Sequence, residues 1–70
     1  MSLMELGLEY LRQYETVMGR IRELKATEKG LSRKGQLLLR GRLLALYEDA
    51  VSLRETGEHL VNYYGGKRDE

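Results

Sequence analysis

His59 is the one imidazole in the chain, and Glu55 precedes it by four residues. On a helix that spacing puts both side chains on one face. An imidazole and a carboxylate so placed can give a zinc ion two ligands, but a zinc site needs at least a third. The chain has no cysteine, which removes thiolate ligands, disulfides and thiol nucleophiles together. The pair therefore reads as a solvated helix pair contributing about a few tenths of a kcal/mol. Ser2, Ser32 and Ser52 have no further histidine to activate them in the usual way. The expectation is a protein that is not an enzyme and needs no metal or cofactor.

A second grouping is basic. Gly30-Leu31-Ser32-Arg33-Lys34-Gly35 sets a serine and two cations where a second helix should begin. A helix N-terminus with free amides can hold a phosphate, so Ser32, Arg33 and Lys34, with Lys29 and Arg40 nearby, form a candidate anion or nucleic-acid site. The pattern is no phosphate-loop motif, and it lacks the preceding strand. A merely solvated basic tip is the plainer reading. Arg33 and Lys34 oppose the dipole of the helix they open, and residues that work against local stability can be there for function.

Two seven-residue repeats position these groups. Leu3, Gly7, Tyr10, Tyr14, Val17, Ile21 and Leu24 alternate steps of four and three. Leu39, Leu43, Leu46, Ala50, Leu53, Gly57, Leu60 and Tyr64 do the same beyond Gly30-Leu31-Ser32. Such alternation keeps one face of an α-helix apolar, and a short connection folds two such helices back on each other. The fold class is therefore all-α, an antiparallel two-helix hairpin forming a single domain over 1–70. Helix one is expected over about 2–29, opened by a capping box of Ser2 and Glu5. The loop is 30–32, with Gly30 as a left-handed terminator and Ser32 as the next N-cap. Helix two is expected over 33–64, ended by Gly65-Gly66, with 65–70 a frayed polar tail.

Gly7, Gly19, Gly35, Gly41 and Gly57 fall inside these helices. At up to about 1 kcal/mol each relative to alanine, they rival the roughly 3–5 kcal/mol that one core supplies at this size. Interdigitation is one offset: pairing Gly7 with Leu53, Leu3 with Gly57 and Tyr10 with Ala50 sets large against small. Val17 would then face Leu43, and Ile21 would face Leu39. Gly41 has no such partner, and a bend in helix two is the reading it suggests.

Self-association is the other offset. Met4, Leu11 and Met18 form a second apolar row on helix one, and Leu37, Leu44, Tyr47 and Val51 one on helix two. A face this wide exceeds what one helix covers and marks an interaction site. Leu11, Met18, Leu44, Tyr47 and Val51 are the expected interface of a homodimer, a four-helix bundle of two hairpins, with a different protein partner on the same face as the alternative. Tyr10, Tyr14 and Tyr47 are expected in the core or that interface, where a bulky ring with a polar tip is useful.

Charge is segregated although the formal net is only +1. Between Arg20 and Arg42, eight basic residues stand against Glu23 and Glu28, a balance of +6; the rest carries nine acids against four bases, −5. A hairpin would gather the positive charge at its loop end. The longest apolar run, Leu43 to Tyr47, falls far short of the ~20 residues of a membrane span. No basic segment followed by an apolar core opens the chain, and a cytoplasmic location is expected.

The functional expectation is a non-enzymatic protein-interaction module that self-associates and regulates or scaffolds a partner. The alternative is a small RNA- or DNA-binding protein using the basic loop end of a dimer. A weaker third reading lays the helix on an anionic membrane, with Arg40 and Arg42 beside Leu37, Leu38, Leu39, Leu43 and Leu44.

Overall fold

The computed structural model of the chain describes residues 2–64. Two helices, α1 (Leu3–Ala26) and α2 (Arg33–Tyr64), are joined by a short 3-10 turn over Glu28–Gly30 and pack along their length as an antiparallel hairpin. The expected tail over 65–70, and the stop at Gly65-Gly66, lie outside the described residues.

The capping box opens α1 as the spacing requires. The Glu5 amide donates to Ser2 Oγ at 3.0 Å, and the Ser2 amide donates to Glu5 Oε1 at 2.8 Å. Two amides that no helical carbonyl can reach are thereby satisfied. Lys25 lies in the last turn, where a cation favours the negative end of the dipole.

The end of α1 differs from the expectation. The helix stops at Ala26 rather than near Lys29, and Gly30 does not take the left-handed conformation. Thr27 is the reason. Its amide and hydroxyl both donate to the Leu24 carbonyl, at 3.0 and 2.7 Å. That local bond competes with continuation of the helix, and the chain tightens into the 3-10 turn. Leu31, extended at φ −97° and ψ 153°, then redirects the backbone. Ser32 begins α2 as anticipated, its Oγ accepting from the Gly35 amide at 3.2 Å.

At the loop end Ile21, Leu39 and Leu43 form the buried core, with Val17, Met18, Leu24 and Leu46 packed on it. Ile21 is 1% exposed. The register that sets Gly7 on Gly57 carries Ile21 level with Leu43 and Val17 toward Leu46. The expected pairing of Ile21 with Leu39 and Val17 with Leu43 is therefore displaced by about one turn, although the same residues form the core.

Toward the open end the expected layers are wrong by about one turn. A Cβ built on Gly7 would stand 2.8 Å from Leu60 Cβ and 3.0 Å from the Gly57 carbonyl oxygen. One built on Gly57 would stand 2.8 Å from Leu11 Cγ and 2.9 Å from the Gly7 carbonyl oxygen. Gly7 thus meets Gly57, not Leu53, and Gly57 meets Leu11 rather than Leu3. Opposing two glycines lets the backbones touch, so Leu11 and Leu60 pack beside the contact. Leu3 and Tyr64, the outermost members of the two repeats, stay exposed. The helix α2 runs unbroken through Gly41, whose Cβ would meet nothing within 4 Å.

Candidate functional site

The loop end is braced by its own side chains. Gln36 Nε2 donates to the Glu28 carbonyl at 3.1 Å, reaching back from α2 into the 3-10 turn. Arg40 Nε stands 3.7 Å from Glu28 Oε2, which ties the second turn of α2 to the same residue. Leu31 covers Gly35, its Cβ 3.3 Å from the place a glycine Cβ would occupy. Leu31 thus holds the chain's entry angle into α2, and Gly35 provides the room.

These bonds divide the candidate anion site. Ser32 Oγ accepts from an amide as an N-cap, and Arg40 faces a carboxylate. Lys29, Arg33 and Lys34 are exposed, and none lies within 4.0 Å of a carboxylate among the described residues. They make a cationic tip at the loop end. The role of Gln36 carried no sequence signal, because a glutamine on the first turn of a helix has many open directions.

The expected pairing of His59 with Glu55 is not formed. His59 stacks instead on Tyr63, four residues on, with centroids 5.7 Å apart and rings 8° from parallel; Tyr63 meets Tyr64 edge to face at 4.8 Å. The i, i+4 spacing of His59 and Tyr63 is the signal that would have found this. Among the described residues no three His, Asp or Glu side chains gather as a metal site. A shallow groove of about 360 Å³ runs beside Tyr47, Glu48, Val51, Ser52 and Glu55. All five come from α2, so the groove has one wall and does not enclose a reacting group.

The apolar rows are the larger feature. Leu11 and Met18, expected at an interface, are half-buried: Leu11 lies on Gly57, and Met18 lies on the core cluster. Leu44 and Leu37 remain 62% exposed, Val51 46% and Tyr47 38%. Helix periodicity places these four on one flank of α2, turned from the Leu39–Leu43 row in the direction of increasing residue angle. In an antiparallel pair that same rotation on α1 leads to the same side of the hairpin. There it meets Met4 and Leu8, both exposed, beside Leu11 and Met18. The opposite side presents Gln13, Arg20, Arg42, Asp49 and Thr56, all exposed. Leu38 and Tyr63 also stand exposed there, so the hairpin has one side with a continuous apolar row and an opposite side that is mostly polar.

No helix among the described residues is long and apolar enough to cross a membrane. No protein-family model, curated protein or solved structure matches the chain.

Proposed function

We propose that this protein is a non-enzymatic interaction module, a helical hairpin that self-associates into a four-helix bundle and through it regulates or scaffolds a partner. One observation carries the reading: six large apolar side chains (Met4, Leu8, Leu37, Leu44, Tyr47 and Val51) stand exposed on a single side of a two-helix layer. Apolar surface of this extent is favourable to remove from water, at about 25 cal/mol per Å². A second layer is the standard solution for a helical pair with an uncovered face.

Sedimentation equilibrium tests the proposal. The native chain is expected to be dimeric at micromolar concentration. Leu44→Glu, at an exposed position, is expected to return it to monomer with its helical circular dichroism retained. A folded native monomer at micromolar concentration overturns the reading.

Nucleic-acid binding through the loop end is the second reading, favoured by Lys29, Arg33 and Lys34, which meet no carboxylate within 4.0 Å among the described residues. Contacts to phosphate would make such binding fall steeply with salt, whereas apolar helix packing would not. The Gly35 amide, taken up by Ser32 Oγ, and the Arg40–Glu28 pair leave this tip fewer free donors than the sequence suggested, so the interaction module ranks first.

A further inference from the structure

We infer that the apolar side is covered by a second copy of this chain turned end for end, with the loops at opposite ends. This rests on the self-association proposed above and adds its symmetry and register. Two hairpin layers can stack face to face about a two-fold axis in two ways. An axis across the hairpin lays α2 antiparallel on α2 and α1 antiparallel on α1. An axis along the hairpin lays α1 on α2 and puts both loops together.

The exposed charges on the apolar side separate the two. Along α2 this side reads Arg33, Leu37, Arg40, Leu44, Tyr47, Val51 and then Glu55 and Glu58, with Arg54 nearer the seam. The row is basic at one end, apolar in the middle and acidic at the other. A transverse axis between Leu44 and Tyr47 sets Leu44 of one copy on Tyr47 of the other. The same axis brings Arg33 beside the other copy's Glu58.

The intramolecular contacts then fix where this axis crosses α1. Gly7 lies level with Gly57, and both helices rise about 1.5 Å per residue, so the crossing falls at Met18 and Gly19. That brings Glu15 of one copy beside Arg22 of the other. Arg22 already leans this way, its guanidinium 3.9 Å from the position of a Cβ on Gly19. One axis, set by the apolar centre of α2, thus yields opposite-charge pairs on both helices. Glu15, Arg22, Arg33 and Glu58 are all exposed and make no ion pair within the described hairpin.

The lengthwise axis does the reverse. It lays Arg22 of one copy beside Arg40 of the other, both on the apolar side. Like charges so placed repel, and exclusion of a wrong arrangement is what interface charge does best. Apolar burial supplies the affinity and charge selects the orientation.

Distance and charge reversal test this together. The chain has no native cysteine, so Lys29→Cys takes one spin label at the exposed tip. End-for-end packing about this axis places the two labels about 30–40 Å apart, twice the ten or so residues from Lys29 to the crossing at 1.5 Å per residue. Loops together place them about 10–20 Å apart, one or two interaxial spacings. Arg22→Glu with Arg33→Glu is expected to raise the dimer dissociation constant roughly tenfold. Adding Glu15→Arg and Glu58→Arg to the same chain is expected to restore it. Labels within about 20 Å, or tighter association of the Arg22→Glu, Arg33→Glu chain, overturn the orientation and leave self-association standing. A monomeric native chain overturns both.

Discussion

The two ends of the hairpin are held by opposite means. At the loop end, Ile21, Leu39 and Leu43 interdigitate as branched side chains, and the helices stand a side chain apart. At the open end Gly7 and Gly57 bring backbone against backbone, with Leu11 and Leu60 packed alongside. The first arrangement depends on buried volume and the second on the absence of a Cβ. Removing atoms should therefore damage one end, and adding them the other.

The largest effect is expected from Ile21→Ala. Its side chain is the most completely buried of the large residues, and such truncations cost about 2–5 kcal/mol. Urea unfolding should show the loss as a lower midpoint. Leu46→Ala should cost less, because Leu46 is only partly buried. Equal costs at the two sites would mean that the core does not centre on Ile21.

Next is Gly57→Ala. Alanine is the better helix former by about 1 kcal/mol, yet its methyl would stand 2.8 Å from Leu11 and 2.9 Å from the Gly7 carbonyl. Forced shifts of this kind cost about 1–3 kcal/mol, so net destabilisation is expected in thermal melts. Amide exchange should accelerate first at the open end. A rise in melting temperature would show that the helices part there at little cost.

Ser32→Ala removes the cap from α2 and should cost about 1 kcal/mol. Ser32→Gly should recover most of it, since glycine is nearly as good at this position. A loss equally large with glycine would assign Ser32 another role at the tip.

The smallest effects come from the glycines that neither end uses. Gly41 has open space around it, and Gly19 meets only the far end of Arg22. Gly41→Ala and Gly19→Ala should each stabilise the folded hairpin by up to about 1 kcal/mol, read from urea midpoints at a concentration too low for association. A loss at either site would point to a contact made outside the hairpin.

The sequence was most legible where structure is local. Periodicity identified both helices and their inward faces among the described residues. Ser2 and Glu5, and Ser32 with Gly35, were readable because a cap bond spans only three residues. The Thr27 stop was missed because a hydroxyl bonding back within one turn has no fixed outcome: in mid-helix the same bond is tolerated, as Thr16 shows by donating to the Arg12 carbonyl at 3.2 Å. Of the candidate site residues, the exposed flank of Leu44, Tyr47 and Val51 followed from helix angles alone. Leu11 lay within reach of both the seam and the outer row, and only the position of Gly57 settled where it packs.

By itself the sequence determined the hairpin, its two caps and the gathering of positive charge at the loop end, since each depends on residues within a turn or on a repeating face. Only the tertiary structure decided the register at the open end and the intramolecular places of Leu11 and Met18. The spacing of an apolar repeat is the same after a slide of one turn, so periodicity leaves the register open. Close backbone contact at Gly7 and Gly57 selects one alignment, because only there can the two chains approach without a Cβ between them.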